Sequence, residues 1–270
     1  FFGGKSEISN STVNWLTDKS KPESGSLKVT NSTLYVGNGS DNHILTLNNA
    51  NDEINKNTVI NLSMNSEIRN DKGNVTFNND GDIWLGKVTN SGTITLDHFE
   101  HDGETAGEYH QTGGETILQN GSKLTMVGNS KITGGDVHVT TDSVLTAGTN
   151  ENFQNIDNFY ITTGGLFNAG IYPFAVKDTM YISNGVVNAI SGNTTVNHIG
   201  NLNIGPEGAD FNIDIDAALA QSDRFIANSI TGAGNLNLNN FQIIGQVPTA
   251  EKIYFRVFDS NNIDNDITFS

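Results

Sequence analysis

Seven residues between His98 and His110 carry the densest reactive chemistry in the chain. His98, Glu100, His101, Asp102, Glu104, Glu108 and His110 place three imidazoles and four carboxylates within thirteen positions. Such side chains ligate zinc, nickel or calcium when the fold converges them. Their spacing here matches no standard zinc motif, and Gly103 and Gly107 interrupt it, so the stretch reads as a solvated loop projecting from its scaffold. Asp214 and Asp216 lie two apart on a predicted strand and would share a face, as a general acid/base pair requires. Ile213 and Ile215 mark the opposite face as core, which leaves the two carboxylates in an outward polar row. Asn78-Asn79-Asp80-Gly81-Asp82 is an oxygen-rich turn, but it lacks the distal Glu of an EF-hand and the register of calcium-binding β-rolls.

Trp15, Trp84, Tyr109, Tyr160, Tyr172 and Tyr181 could line a sugar-binding face, although aromatic side chains on strands commonly stack with neighbours in adjacent layers. Trp84 stands out because its motif puts it at the outward position. There is no nucleophile elbow, phosphate loop or paired-His motif, and no cysteine for thiol chemistry or disulfides. The sequence therefore assigns no catalytic, cofactor-binding or metal-binding residue, and the chain reads as a non-enzyme.

The elements that would position these residues are short and repeated. Gly, a polar residue and then apolar-x-apolar recur as Gly25-Ser26-Leu27-Lys28-Val29, Gly73-Asn74-Val75-Thr76-Phe77, Gly81-Asp82-Ile83-Trp84-Leu85 and Gly92-Thr93-Ile94-Thr95-Leu96. The phrase returns at Gly135-Asp136-Val137-His138-Val139, Gly200-Asn201-Leu202-Asn203-Ile204 and Gly234-Asn235-Leu236-Asn237-Leu238, with longer variants at Gly121 and Gly208. Period two faces both apolar side chains one way, and the leading Gly permits the positive φ of a sharp corner. Strands this short bury too little individually, whereas coiling them into a stack extends one narrow core.

Tyr160-Ile161-Thr162-Thr163 against Tyr181-Ile182-Ser183-Asn184, and Gly113-Gly114 against Gly134-Gly135, are both offset by 21 residues. That spacing predicts coils of roughly twenty residues. The 39 Asn suit left-handed corners and amide bonds from coil to coil. We expect an all-β parallel β-solenoid of about ten coils between Leu27 and Ile244, a rod on the order of 50 Å long. Residues 1–26 form a lead-in or cap, 27–245 the solenoid, and 246–270 a distinct strand segment, cap or junction with a more aromatic strand at Ile253–Phe258. One short helix is predicted at Ala217–Gln221 behind Asp216 as N-cap, and Pro22, Pro173, Pro206 and Pro248 suit loops.

Composition narrows the function classes. Apolar residues make up 35% and charged residues 16%, so this is not a disordered profile. The net charge of −16 repels a phosphate backbone, which argues against nucleic acid as a partner. No apolar run is long enough to span a bilayer as a helix. The start at Phe1-Phe2-Gly3-Gly4, without Met or leader, reads as a processed or excised piece.

Two stretches carry a family resemblance. Tyr109-His110-Gln111-Thr112-Gly113-Gly114 leading into Ile117-Leu118 and Gly121-Ser122-Lys123-Leu124 is similar to the aromatic-x-Gln-x-Gly-Gly phrase of bacterial autotransporter passengers and related large surface adhesins. Phe211-Asn212-Ile213-Asp214-Ile215-Asp216 through Ser222-Asp223-Arg224-Phe225-Ile226-Ala227 to Gly232–Leu238 resembles the carboxyl-terminal part of such passengers. Together they cover about a third of the chain. The resemblance implies a right-handed parallel β-helix outside the cell, although the strands of a membrane barrel are not found in this sequence.

The expected function is a secreted, non-catalytic structural or adhesive module at a bacterial surface. Its partner would be a host or neighbouring-cell glycan or protein, or another copy of itself. A filament subunit, a polysaccharide-active β-helix enzyme and a glycan-binding module are the alternatives.

Overall fold

The computed structural model describes residues 4–17, 25–78, 81–101, 107–247, 249, 252–264 and 266–270. Pro22, Pro248, Asn79, Asp80, Asp102, Gly103 and Glu104 lie outside the described residues.

Apolar-x-apolar behaves as period two demands. Leu27–Thr30 buries Leu27 and Val29, Thr93–Asp97 buries Ile94 and Leu96, and Asp136–Val139 buries Val137 and Val139. Isolated strands of this size are unstable, so each segment pairs with its equivalent one coil away. The result is a parallel β-solenoid. Its first face stacks twelve strands in chain order, from Ser6–Ser9 through Leu27–Thr30 to Phe258–Asp259. Ten of these lie between Leu27 and Ile244, matching the expected coil count.

The second position in each coil is filled by Thr12–Trp15, Thr33–Val36, Val59–Leu62 and Ile83–Trp84, and then by a run from Glu100–His101 to Thr268–Phe269. A third face runs from Ile44–Leu47 to Lys131–Ile132 and ends in a single bridge from Ile132 to Phe153. Beyond it, strands of the first face lengthen to nine residues, as in Ala175–Ser183 and Val196–Ile204, with a shift in register partway. The predicted 21-residue offset is a literal register, since Tyr160 pairs with Tyr181 and Ile161 with Ile182.

Asn works in both predicted ways. Asn10, Asn31, Asn65, Asn120 and Asn184 hold positive φ at corners. Amide bonds link coils where Asn70 donates to Asn90 and Asn188 donates to Asn168, each at 3.0 Å.

Three local expectations fail. Ala217–Gln221 forms a turn rather than a helix: the Asp216 carboxylate accepts the N–H groups of Ala218 and Leu219 as a cap would, but the chain reverses at once into Gln221–Ser222, the one antiparallel pairing among the described strands. So short a segment gains too few helical bonds to offset nucleation. Ile253–Phe258 retains alternating exposure, yet only Phe258–Asp259 pairs, on Phe225–Ile226. No helix among the described residues is long and apolar enough to cross a membrane.

Trp84 is the third. It is 3% exposed while Ile83 is 47% exposed, the reverse of the expected orientation. Pairing sets this, because Trp84 lies on Leu62, which lies on Val36, in a column of the core. Its ring stacks on Phe77 at 4.9 Å and meets Tyr109 edge-on at 5.7 Å, and its Nε1 donates to the Gly86 carbonyl at 3.0 Å. A large ring with its donor satisfied gains more by burial than Ile83 would.

Candidate functional site

The described members of the histidine and acid cluster, all but Asp102 and Glu104, are held in separate contacts. His98 sits at a left-handed corner with its Nδ1 2.9 Å from Asp97, and Glu100 forms an exposed pair with Lys123 at 2.8 Å. His101 is buried, with Nδ1 and Nε2 at 3.0 and 2.9 Å from the carbonyls of Thr125 and Gly107. Glu108 takes the Asn129 N–H at 2.9 Å and the His110 ring at 3.1 Å, and these bonds hold its carboxyl below the usual range. Among the described residues no three His, Asp or Glu converge on a common point.

The aromatic set is divided as well. Trp84 and Tyr109 are core, and Trp15 packs against it with Nε1 donating to the Ile44 carbonyl at 3.1 Å. Tyr160 and Tyr181 stand half-buried on the outside of the first face, in one register column with His138. His138 and Tyr160 stack at 4.3 Å and 13°. Rings stacked this way cover one another's faces, as expected for neighbours in adjacent coils.

Several carboxylates turn toward backbone N–H groups of neighbouring coils. Asp82 accepts the N–H of Ile60 at 2.7 Å and of Asn78 at 2.6 Å, so the oxygen-rich turn spends this carboxylate on backbone. Buried Asp52 does the same for Leu27 and Asn49. Asp52, Asp82 and Asp223 each directly precede a strand, a position that could have signalled the role. One carboxylate bonding two amides across neighbouring coils satisfies donors that would otherwise be buried unpaired.

The densest case overturns the outward reading of Asp214. Asp214 is wholly buried, its Oδ2 accepting the N–H groups of Ser191 and Gly192 at 2.7 Å, whereas Asp216 caps the adjacent turn. The two share no catalytic face. The hairpin return that sequence patterning did not reveal covers Asp214 and brings up Asp223, also wholly buried. Asp223 accepts the N–H and hydroxyl of Thr195 at 2.7 and 2.9 Å and the N–H of Asp214 at 2.7 Å.

Burial raises the Asp223 carboxyl above its ordinary value, and this outweighs the bonds from Asp214 and Thr195 that lower it; nearby Asp214 raises it further. A raised folded value means the native state holds the proton more tightly than the unfolded chain. The stability it contributes is therefore full below the unfolded carboxylate value and declines as pH rises through the folded value. Asp223→Ala should cost about 2–3 kcal/mol by orphaning three donors. For Asp223→Asn, urea melts should show a larger deficit relative to the parent at about pH 4 than at about pH 7. A deficit that grows with pH would contradict this assignment.

Beside this network the chain forms a half-open groove of about 470 Å³, lined by Thr194, Thr195, Val196, Gln221, Ser222, Arg224 and Arg256 among others. Both arginines face one acid: Arg224 Nη2 is in close contact with Asp259, and Arg256 Nη1 lies 3.6 Å from it. Sequence reading missed this site because Arg224 and Arg256 meet only through the pairing of Phe225 with Phe258. A second groove, about 510 Å³, lies along the third face between Asn42 and Glu108.

Fold and site together define a parallel β-solenoid whose buried acids are structural and whose basic groove is its best candidate for recognition. Comparison with protein-family models, curated proteins and solved structures gave no match in any of the three.

Proposed function

We propose that the chain is a non-catalytic structural and adhesive module exposed at a bacterial surface, of the kind that autotransporter passengers and related large adhesins provide. The carrying observation is the twelve-strand first face, stacked in strict chain order, which puts the first and last coils at opposite ends of one rod. At about 4.8 Å per strand its ends are roughly 50 Å apart, a geometry suited to holding a binding surface away from its attachment. Display of the chain on a non-adherent bacterium should raise attachment to host cells or glycan-coated surfaces. Attachment no better than that of the bare strain, together with product release from a polysaccharide panel, would favour the enzymatic alternative.

A second reading, end-to-end assembly into a filament, has its own support. Asn235–Ile244 pairs with the preceding coil from Leu236 to Ile244, with a register shift at Asn239, but among the described residues only Asn235–Leu238 is covered on the other side, by Thr268–Ser270. Phe241 and Ile243 continue the columns of Ile213 and Ile215, yet are 62% and 50% exposed. At the other end, Thr12–Trp15 pairs among the described residues with Thr33–Val36 alone, and its partly buried Val13 and Trp15 stand at the same two-residue spacing and in the same strand direction. An open edge with apolar columns templates another strand. The filament reading predicts concentration-dependent rods joined end to end, visible by electron microscopy. Phe241→Lys with Ile243→Lys should abolish joining while leaving the melting temperature within a few degrees, since both side chains are already exposed. Rods that stay single at millimolar concentration would rule it out.

A further inference from the structure

We propose that the groove between Thr194 and Arg256 binds a carboxylated saccharide, with its carboxylate on the paired arginines and its hydroxyls on Thr194 and Gln221. Charge distinguishes this groove first. Lys5, Lys28, Arg69, Lys123 and Lys177 each lie within 3.3 Å of a carboxylate, but among the described ion pairs two cationic side chains converge on one acid at Asp259 alone. Here two guanidinium groups share the one carboxylate of Asp259 on the open side of the groove, while the Asp223 carboxylate lies buried behind Thr195, so exposed cations outnumber exposed acids at this point of a chain whose net charge is −16. Arg256 is 70% exposed and only loosely held, with its Nη1 3.6 Å from Asp259, so its N–H groups stand open to a ligand. The donor capacity of the pair exceeds what Asp259 takes up, and the planar fork of a guanidinium matches a carboxylate.

The acidic remainder of the molecule selects among anions. A polyanion such as nucleic acid or a sulfated polymer would meet repulsion beyond the groove, whereas a single carboxylate on an otherwise neutral scaffold would not. The lining supplies the rest of a sugar site. Thr194, Gln221 and Ser222 offer hydroxyl and amide groups, and Val196, 45% exposed, offers a small apolar contact for the C–H face of a ring. A volume of about 470 Å³ lies within the range of small-molecule sites.

The walls are also fixed before any ligand arrives. Thr195 is held by Asp223, Arg224 N donates to Thr195 O at 2.8 Å, Phe225 N donates to Val257 O at 2.8 Å, and Ser222 Oγ donates to Arg256 O at 3.2 Å. Preorganised groups lose less entropy on binding. Saccharide binding here does not depend on surface display, and the test uses the free chain.

The test is NMR titration and calorimetry with cellobiouronic acid, against cellobiose, sodium sulfate and a short poly-glutamate peptide. The expected result is saturable binding of the uronic acid, with shifts at the amides of Thr194, Val196 and Arg256. Cellobiose should bind at least about ten-fold more weakly, and Arg256→Gln should cause a similar loss at unchanged melting temperature. Arg224→Lys provides a second variant that keeps the charge but removes the fork, and it should weaken binding as well. The proposal is overturned if the uronic acid causes no shifts at about 10 mM, roughly ten thousand times the concentration that a micromolar ligand needs. It is equally overturned if cellobiose, sulfate or the peptide binds as tightly, or if Arg256→Gln leaves binding intact.

Discussion

Gly114→Val should destabilise the fold by about 4 kcal/mol or more, enough to unfold a marginal chain, because two independent penalties meet at one residue. Gly114 has φ of +63°, where a β-branched side chain is strongly disfavoured, and a Cβ there would lie 2.0 Å from the Gly92 carbonyl oxygen in the preceding coil. Two neighbours in the same motif separate the penalties. Gly121 has φ of +75° with nothing within 4 Å of where a Cβ would stand, so Gly121→Ala should cost only about 1 kcal/mol. Gly92 is not in the positive-φ region, but a Cβ would lie 2.5 Å from the Gly73 oxygen, so Gly92→Ala should cost about 2–3 kcal/mol through displaced backbone alone. Denaturant unfolding of the three variants checks the order. If Gly121→Ala proved as damaging as Gly92→Ala, contact between coils would not be what glycine serves here.

Trp84→Ala should cost about 3–5 kcal/mol, the range for emptying a large aromatic site in a packed core. Trp84 joins Phe77, Phe99, His101 and Tyr109 where the second position of the coil passes from Ile83–Trp84 to Glu100–His101. A void there removes contacts from two successive coils at once, and partial collapse is hindered by the backbone ladder on either side. Ile83→Ala, one residue away and exposed, should change stability by no more than about 0.5 kcal/mol. Comparable losses in the two variants, read by thermal melting, would place Trp84 outside the core.

The glycine and tryptophan cases show where sequence reasoning holds and where it stops. Apolar-x-apolar spacing identifies the strands, since Leu27, Val29, Ile94, Leu96, Val137 and Val139 are all buried as the pattern requires, and the 21-residue offset gives the partners of Tyr160 and Ile161, whereas other coils depart from it, as where Thr93 pairs with Asn74 and Phe225 with Phe258. Those features follow from local periodicity, which a strand cannot escape. The corner reading of the leading glycines applies to some of them only. Gly200 and Gly234 are not in the positive-φ region, and their hydrogens face carbonyl oxygens of Lys177 and Gly205 that a Cβ would approach to 2.2 and 2.0 Å. The spacing between coils, invisible in one coil's sequence, imposes that need.

The same division runs through the polar residues. Local pattern and composition suffice to specify an all-β repeat, the length of its coil, the Asn-rich corners and the lack of thiol chemistry. Contacts between coils are needed to turn Trp84 inward, to bury Asp214 and Asp223 as staples, to hold the cluster's histidines in separate contacts and to bring Arg224 and Arg256 to one groove. The reason is physical: period two says only that neighbours on a strand face opposite ways. Which way each faces where strands shrink to two residues, as at Ile83–Trp84, or where a hairpin folds back, as at Asp214, depends on the coils above and below.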